Sequence, residues 1–442
     1  MTDRSHLRLV TDLESRPDLR HPRRRDVVVY RVRVDLDGAD PPIWRRIDLR
    51  SDLMLDFVHQ VLQVAFDWTD SHLHRFSLGG GPFDRDSQLF LCSYDVEEAD
   101  VEDDGVPDTE TRLDETLTEP GDVLHYLYDY GDNWELTLRL EQILPNESSG
   151  AAAVIVDGER AAPPEDCGHL VDASSLAGVL PDPALFEPDR INKGLSGAYF
   201  TLREAGADPR LVDLVHRLIY TAHGDSLSEA ALTLAAETAT PDADDLTRSL
   251  RAFQWFLDRA NNGGIALTAA GYMKPDDVIE ASKVVPVMAG WIGTKNREAH
   301  CYPLLRFRET LQDLGLLRKV KGQLLLTKAG QTAQGDANVL WQHLASRLIP
   351  KPADKFGVQA TLLMLTYAAA SPNADLALPR IAATLTDLGW RHADGSPVTD
   401  SALRHLLVYE VLTNVTEQRV TWRRRNVISP VAAALARRAL GV

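Results

Sequence analysis

The strongest constraint on the fold is a strict two-residue alternation of apolar and polar side chains near the start of the chain. The apolar positions of this segment are Val28, Tyr30, Val32, Val34 and Leu36. Successive side chains of a β-strand point to opposite faces, so the alternation predicts a strand at 26–36 with one buried face. The turn residues that follow at 37–42 predict a return of the chain in a second strand at 43–49.

Three further segments, 72–78, 123–128 and 134–140, carry strand patterns, and the last of them alternates as clearly as the first. Between the second and third strands, apolar residues recur at helical spacing over 52–66, with Ser51 or Asp52 available as the N-terminal cap. These elements predict an α+β module, in which a mostly antiparallel sheet packs against a helix.

Five short motifs follow one another in this module. They are Pro-Pro-Ile-Trp-Arg-Arg at 41–46, His-Gln-Val-Leu-Gln-Val-Ala-Phe-Asp-Trp at 59–68, His-Leu-His at 72–74, Tyr-Asp-Tyr-Gly-Asp-Asn-Trp-Glu at 128–135 and Pro-Pro-Glu-Asp-Cys-Gly at 163–168. The ordered set resembles the plasmid pRiA4b ORF-3-like family, whose members include passenger proteins of insertion elements, over roughly 26–200. The resemblance implies an association with mobile DNA and defines no reaction.

The residues that match the family motifs are Trp44, Arg45, Arg46, His59, Trp68, His72, His74, Tyr128, Asp129, Gly131, Asp132, Trp134, Glu135, Pro163, Pro164, Glu165 and Asp166. Leu136 stands where the family usually carries histidine, and Val156 and Ala162 stand at or near positions where its members often carry cysteine. A thiolate metal site is therefore not expected in this chain.

One set of motif residues is a candidate for catalysis. His72 and His74 are two residues apart on a predicted strand, so we expect their side chains on one face, near Asp129 and Asp132 of the predicted hairpin. Imidazole and carboxylate groups suit a divalent metal or acid–base chemistry, so this set predicts, as the alternative function, a metal-dependent hydrolase or nuclease. The interpretation we favour assigns these residues to turns and packing, with no metal and no cofactor.

Two further motifs have structural and functional interpretations. Glu165 and Asp166 either contact a partner or cap a crossover that Pro163 and Pro164 stiffen, and we favour the second interpretation. Cys167 is a nucleophile only if a base such as His169 lies beside it. Arg45 and Arg46 are expected to pair with acids such as Asp129 or Asp132.

The second half of the chain is predicted to be mainly helical and to resemble a winged helix. Segments 263–271 and 322–330 repeat a Leu-Thr-x-Ala-Gly pattern after an apolar helix, and each is expected to deliver a threonine, Thr268 or Thr327, to a helix N-terminus. Residues 316–326 make a plausible wing hairpin. A helix at 401–412, a strand at 419–423 and a helix at 430–440 form a candidate second winged helix.

Basic residues cluster on both predicted hairpins. Those of the wing are Arg318, Lys319 and Lys321, and those of the second hairpin are Arg423, Arg424 and Arg425. Arg297, Arg306 and Arg308 lie in or before the helix at the recognition position. Such groups can neutralise phosphates, which makes DNA a candidate partner of this half, although charged runs are also common on solvated faces.

The net charge of −18 is distributed unevenly. Residues 251–442 carry 24 Lys and Arg against 15 Asp and Glu, a balance of +9, which leaves 23 against 50, or −27, in residues 1–250. Opposite signs indicate two halves with different partners, or halves that attract each other, and make the acidic half a candidate for binding another protein.

The predicted organisation has five parts. They are a disordered segment 1–25, the α+β domain 26–200, a helical linker region 201–248, a winged-helix-like domain 249–350 and a C-terminal helical domain 351–442. The distant cysteines Cys92, Cys167 and Cys301 and the polar N-terminal segment predict a cytoplasmic protein. The apolar runs are too short to span a bilayer, so no membrane partner is expected. The leading hypothesis is a non-enzymatic accessory or regulatory protein of mobile DNA, and a resolvase-like role ranks last because no recombinase signature is present.

Overall fold

The chain forms two compact units, Met1–Ser196 and Gly197–Val442. The computed structural model describes residues 16–98, 105–146, 150–219, 221–236 and 239–442. Part of the predicted disordered segment 1–25 lies outside the described residues. So do parts of three segments whose composition predicts loops or linkers: the acidic run 97–110, the connector 146–153 and the Pro- and Asp-rich linker 238–245.

The N-terminal unit is built on one eight-stranded sheet. Its strands are β1 (Val28–Leu36), β2 (Trp44–Arg50), β3 (His74–Leu78), β4 (Gln88–Leu91), β5 (Val106–Pro107), β6 (Val123–Tyr128), β7 (Trp134–Pro145) and β8 (Ala153–Glu159). The spatial order is β5-β4-β3-β6-β7-β1-β2-β8, and every neighbouring pair is antiparallel except β4 and β5. Its helices are α1 (Leu55–Ala65), α2 (Ser93–Glu98), α3 (Ala173–Leu176) and α4 (Pro188–Leu195). The predicted α+β class, with strands β1, β2, β3, β6 and β7 and helix α1, is confirmed.

The apolar residues that alternate along the first predicted strand form the buried face of β1. Tyr30, Val32 and Val34 are completely buried there, and Val58 and Leu62 of α1 are equally buried. Each such side chain stabilises the fold by about 1.5–3 kcal/mol relative to an exposed one. The predicted caps of α1 are wrong: the helix begins at Leu55 without a side-chain cap, because the Ser51 hydroxyl accepts the N–H of Val28 and Asp52 pairs with Arg50.

The sheet edge at β8 is closed by a helix side chain. Asn192 of α4 accepts the N–H of Ile155 at 2.8 Å and donates to its carbonyl at 3.0 Å. This pair of bonds substitutes for a further strand, because backbone groups of an edge strand otherwise need another partner.

The C-terminal unit is mainly helical, as predicted. Its first helices are α5 (Ala198–Glu204), α6 (Pro209–Leu218), α7 (Gly224–Leu232), α8 (Ala243–Ser249), α9 (Arg251–Asn261), α10 (Pro275–Val284) and α11 (Tyr302–Asp313). They are followed by α12 (Lys328–Ala333), α13 (Ala337–Arg347), α14 (Lys355–Ala370), α15 (Leu378–Asp387), α16 (Asp400–Leu403), α17 (Leu407–Asn414) and α18 (Pro430–Leu440). Helix α14 is buried along most of its length and packs against α7, α15, α17 and α18. In the described part of the chain, no helix is long and apolar enough to cross a bilayer.

A small sheet accompanies helices α9 to α11. Its strands are β9 (Ile265–Ala266), β10 (Leu317–Val320) and β11 (Gln323–Leu326), in the order β10-β11-β9. The hairpin β10–β11 turns at Lys321 and Gly322, both of which have positive φ angles. Glycine adopts such angles without strain, which explains the Lys-Gly turn.

The two copies of the repeated pattern form different local structures. Thr327 caps α12, since its hydroxyl accepts the N–H of Gly330 at 3.0 Å. Thr268 lies in a turn instead, because α10 begins only at Pro275. The predicted cap is therefore present in the second copy and wrong in the first.

The candidate second winged helix at 401–440 does not form. The helix expected at 401–412 is divided into α16 and α17, and a short 3-10 helix, Trp422–Arg424, occupies the place of the expected strand 419–423. The basic residues Arg423, Arg424 and Arg425 thus lie in a helical turn, and the predicted hairpin tip is wrong.

Candidate functional site

Two groups of histidine and aspartate side chains lie in the described part of the N-terminal unit. The first group is interior, where His59 of α1 and His74 of β3 stack with ring centroids 3.5 Å apart. His59 Nε2 lies 2.8 Å from an Asp70 oxygen, and His74 Nε2 lies 2.9 Å from an Asp108 oxygen. Each ring is thereby oriented by its own carboxylate.

Burial determines the protonation state of His59. The loss of hydration, followed by the proximity of His74, lowers the pKa of His59 to about 4. A neutral His59 that donates from Nε2 to Asp70 accepts at Nδ1 from the Tyr126 hydroxyl, 2.8 Å away, and Tyr126 accepts the Gln63 amide at 2.9 Å. Because both ring nitrogens have partners, this group is a closed hydrogen-bond network.

The second group lies at the surface and contains His72, Asp129 and Asp166. His72 Nε2 is 3.6 Å from Asp129 Oδ2 and 3.2 Å from Asp166 Oδ1. The His72 nitrogen is shielded from solvent and has no hydrogen-bond partner among the described residues. The Asp166 side chain is 76% exposed, so the group opens to solvent on that side.

The β6–β7 turn holds Asp129 in place. Asp129 has a φ of +58°, and its Oδ1 accepts the N–H of Gly131 at 2.9 Å and that of Asp132 at 3.3 Å. These bonds fix one carboxylate oxygen within the turn and leave Oδ2 directed at His72.

The loop 163–169 is tied to the same end of the sheet. Glu165 accepts the N–H of Thr69 at 3.0 Å and a short hydrogen bond from the Tyr128 hydroxyl. The carbonyl of Pro163 accepts the indole N–H of Trp68 at 3.0 Å, and Asp132 accepts the N–H of Gly168 at 2.9 Å. The loop therefore presents Asp166 from a backbone that Glu165 ties to Thr69 and Tyr128.

The predicted catalytic set is divided between the two groups. His72 and Asp129 come together, whereas His74 turns into the interior network and Asp132 binds the 163–169 loop. His72 precedes β3 and is not part of it, which is why the expected common face for His72 and His74 does not arise. Asp166 takes the third place in the surface group.

The family motif at 41–46 is structural. Arg45 is buried and donates to the carbonyls of Ala65, Trp44 and Glu159, and burial lowers its pKa to about 10. Arg46 pairs with Glu141 at 2.7 Å and with Asp157 at 2.9 Å. The expected pairing of both arginines with Asp129 or Asp132 is wrong.

The remaining motif residues frame the turn and the loop. The Trp134 ring is buried and stacks on His169 at 5.1 Å, which gives His169 a packing partner. The Glu135 side chain is exposed, and Pro164 is half-buried in the loop. At Gly131, a Cβ would lie 3.2 Å from Asp129 Oδ1, so glycine leaves room for that carboxylate.

In the C-terminal unit, the basic residues of the hairpin β10–β11, the predicted wing, are exposed. Arg318 and Lys319 of β10 and Lys321 of the turn all face solvent. Helix α11, which was predicted to take the recognition position, is largely covered: Arg308 is buried in an ion pair with Glu298 at 3.0 Å, and Arg306 donates to the carbonyl of His405. Arg297 before the helix is exposed.

Sequence reasoning missed a cationic cleft in this unit. A cavity of about 770 Å³ lies among α8, α9, α10 and the segment 416–419. Its charged lining residues are Arg248, Arg251, Lys283, Lys295, Arg419 and Glu417. Arg419 and Arg424 line a smaller adjoining pocket, so part of the predicted basic cluster 423–425 lies beside this cleft. The cleft residues come from separate segments of the sequence, and no local sequence pattern predicts that they lie together.

The difference in net charge between the two parts is smaller when the chain is divided at the structural boundary than when it is divided between residues 250 and 251. Residues 197–442 carry 28 Lys and Arg against 24 Asp and Glu, a balance of +4, and residues 1–196 carry 19 against 41, or −22. The N-terminal unit is therefore strongly acidic, and the C-terminal unit is close to neutral.

Comparison with known proteins finds a family, a curated relative and a solved structure that are each similar to part of this chain. Residues 28–205 match the family described as plasmid pRiA4b ORF-3-like protein. The uncharacterized protein y4hQ of Sinorhizobium fredii (strain NBRC 101917 / NGR234) is 28% identical over 168 residues, which cover 35% of this chain and 75% of that protein. The crystal structure of a protein of unknown function from Methanosarcina mazei Go1, MM3350, is 26% identical and matches 37% of this chain and 96% of its own, with a TM-score of 0.31.

Proposed function

Since residues 28–205 match the family described as plasmid pRiA4b ORF-3-like protein, we propose that this chain is a non-enzymatic accessory or regulatory protein of mobile DNA. In this proposal the acidic α+β unit binds a protein or ligand, and the C-terminal unit contacts nucleic acid through exposed cations.

The observation that carries the nucleic-acid part is the exposed basic hairpin β10–β11. The order α9, β9, α10, α11, β10, β11, with β9 paired to β11, resembles the order of elements in a winged helix. Arg318, Lys319 and Lys321 lie together on the wing and face solvent, where they can approach phosphates.

Because α11 is largely covered, we expect contact with the nucleic-acid backbone and not with the bases. A recognition helix reads bases by placing its side chains in the major groove, and Arg308 is committed to Glu298 inside the protein. Contacts from the wing and the cleft would instead be made to the phosphate backbone, so binding is expected to depend strongly on salt and weakly on sequence.

The alternative function, a metal-dependent hydrolase or nuclease built on His72, His74, Asp129 and Asp132, lacks its geometric basis. The His74 ring is stacked on His59 and bound to Asp108, away from the surface group. A catalytic metal needs its ligands around one open position, which these four residues do not provide.

Fluorescence anisotropy of a labelled duplex tests the proposal on the full chain. The wing variant carries Arg318→Gln, Lys319→Gln and Lys321→Gln, and its matched control replaces three exposed cations elsewhere, Arg347, Lys351 and Lys355, by glutamine. Between about 50 and 200 mM salt, the slope of log K against log salt should fall by about 0.9 for each phosphate that the wing variant no longer neutralises, and it should remain unchanged in the control.

Two outcomes would remove the nucleic-acid part. One is the absence of salt-dependent binding by the wild-type chain, and the other is an equal slope for the wing variant and its control. A cleft variant, Arg251→Gln with Arg419→Gln, separates the cleft from the wing: an unchanged slope would restrict the contact to the wing.

A further inference from the structure

We propose that His72, Asp129 and Asp166 form a binding site for one divalent transition-metal ion. This site lies in the N-terminal unit, and metal binding there does not depend on whether the C-terminal unit binds nucleic acid. One nitrogen and two carboxylate oxygens of these residues all lie within 4.8 Å of one another.

The spacing of these atoms fits ligands of a shared ion. Nitrogen and oxygen ligands lie about 2.0–2.2 Å from Zn²⁺, so two ligands at tetrahedral or octahedral angles are separated by about 3.0–3.5 Å. The observed separations from His72 Nε2 are 3.2 Å to Asp166 and 3.6 Å to Asp129. Small side-chain rotations would therefore bring all three onto one ion.

The His72 nitrogen needs a partner that the described protein atoms do not supply. It is shielded from solvent and makes no hydrogen bond, although two carboxylate oxygens are close to it. A buried polar atom without a partner is unfavourable, and a cation placed between the imidazole and the two carboxylates would satisfy all three groups at once.

The ligands are held before any ion arrives. Asp129 is oriented by the N–H groups of Gly131 and Asp132, and Asp166 by a loop that Glu165 anchors to Thr69 and Tyr128. Hydrogen bonds of this kind orient metal ligands and raise the affinity of a site.

The donor set indicates the class of metal. One imidazole and two carboxylates suit Zn²⁺ or Mn²⁺, whereas Mg²⁺ and Ca²⁺ prefer oxygen ligands alone. Cys167 follows Asp166 in the loop, but its sulfur is not part of the group. The exposure of Asp166 leaves the remaining coordination positions open to water.

The interior group of His59, Asp70 and His74 is the competing candidate and fits less well. Both His59 nitrogens already have partners, Tyr126 and Asp70, and a metal would have to replace at least one of these bonds. Ring stacking with His74 also directs the two imidazoles parallel to each other and not toward a common point.

Isothermal titration of the untagged, chelator-treated full chain with Zn²⁺ tests the site, with Mg²⁺ as the comparison ion and the absorption spectrum of the Co²⁺-loaded chain as a second readout. The variants are Asp129→Asn, which retains an oxygen for the turn, and Asp166→Asn at an exposed position. Glu135→Gln is the matched control, because Glu135 is an exposed carboxylate that follows the same turn and lies outside the group.

The expected result is one Zn²⁺ per wild-type chain and an affinity at least about tenfold lower in Asp129→Asn and Asp166→Asn. Glu135→Gln should bind Zn²⁺ as the wild type does, and Mg²⁺ should not compete. Failure of the wild type to bind Zn²⁺, or wild-type affinity in Asp129→Asn and Asp166→Asn, would overturn the proposal. An equal loss in Glu135→Gln would also overturn it, since that result indicates general attraction to an acidic surface.

Discussion

The neutral, buried His59 should make the N-terminal unit lose stability in mild acid. The unfolded chain takes up a proton at this side chain below its ordinary pKa of 6.5, whereas the folded unit does so only below about 4. Stability is therefore complete above pH 6.5 and falls as the pH decreases through this window. At about 1.4 kcal/mol for each pKa unit, the loss is about 2 kcal/mol at pH 5 and about 3 kcal/mol at pH 4.

Neighbouring carboxylates do not conceal this effect. Burial opposes the ionisation of Asp70, but the hydrogen bonds from His59 and Gln60 and the nearby imidazoles together outweigh it, and the pKa of Asp70 lies below its usual value. Its contribution to stability is lost only below the window in which His59 titrates.

Hydrogen exchange measured by mass spectrometry is the suitable assay, because peptides covering α1 and β3 report on the N-terminal unit alone. After correction for the intrinsic pH dependence of exchange, the free energy of opening of these peptides should fall between pH 7 and pH 4. In His59→Gln, which cannot titrate, the free energy of opening should be lower at pH 7 and nearly constant across the window.

A second histidine provides the control. His125 lies half-buried on β6, outside the stacked network, so His125→Gln should retain the acid sensitivity of the wild type. If His59→Gln loses stability with pH as steeply as the wild type, the assignment of the effect to His59 is refuted.

Two further predictions concern the C-terminal unit. Burial raises the pKa of Glu410 to about 7 despite the opposing charge of Arg306, so the unfolded carboxyl ionises first and the unit should lose up to about 3 kcal/mol as the pH rises from 4.5 to 7. Glu410→Gln should flatten this dependence in thermal unfolding followed at pH 5 and pH 8, and an unchanged dependence would contradict the assignment. Thr327→Ala should cost about 1 kcal/mol in urea unfolding because it removes a helix cap, and Thr268→Ala should cost clearly less; equal losses would contradict the difference between the two copies.

The sequence predicted the sheet where a strand has one buried face. Strands β1, β2 and β7 alternate strongly enough to be recognised, and the resemblance that the order of the five motifs predicted is confirmed for residues 28–205. Strand β3 is buried throughout and β6 at four of its six positions, so these two strands were predicted without a clear alternation. Strand β4, with four buried residues, shows no alternation either and was not predicted. Strand β8 was missed because the segment before it is rich in small and polar residues that are typical of a connector.

The candidate sites were only partly predictable because their members come from distant segments. Asp70 and Asp108 complete the interior network, yet Asp108 lies in an acidic run whose composition is typical of a solvated loop. Asp108 is in fact 2% exposed, since His74 holds it in the interior. The partner of a histidine depends on the register between strands and loops, which spacing along the chain does not specify.

The repeated Leu-Thr-x-Ala-Gly pattern illustrates the same limit. In the second copy, a Cβ at Gly330 would collide with the carbonyl of Leu316, so glycine is required by the close approach of α12 to that backbone. In the first copy, Gly271 has a φ of +86°, and glycine is required by the turn. Identical letters therefore satisfy two different constraints.

The redistribution of charge at the structural boundary changes the argument for nucleic-acid binding. A balance of +4 over residues 197–442 is too small to attract a polyanion to the whole unit, so the net charge does not favour nucleic-acid binding. Two local clusters remain: three exposed cations on the hairpin β10–β11, and a cleft lined by five cations, of which Arg248 and Lys283 are paired with acids. Local clusters act within about a Debye length, so substitutions at these positions should weaken nucleic-acid binding far more than equal changes of charge elsewhere on the unit.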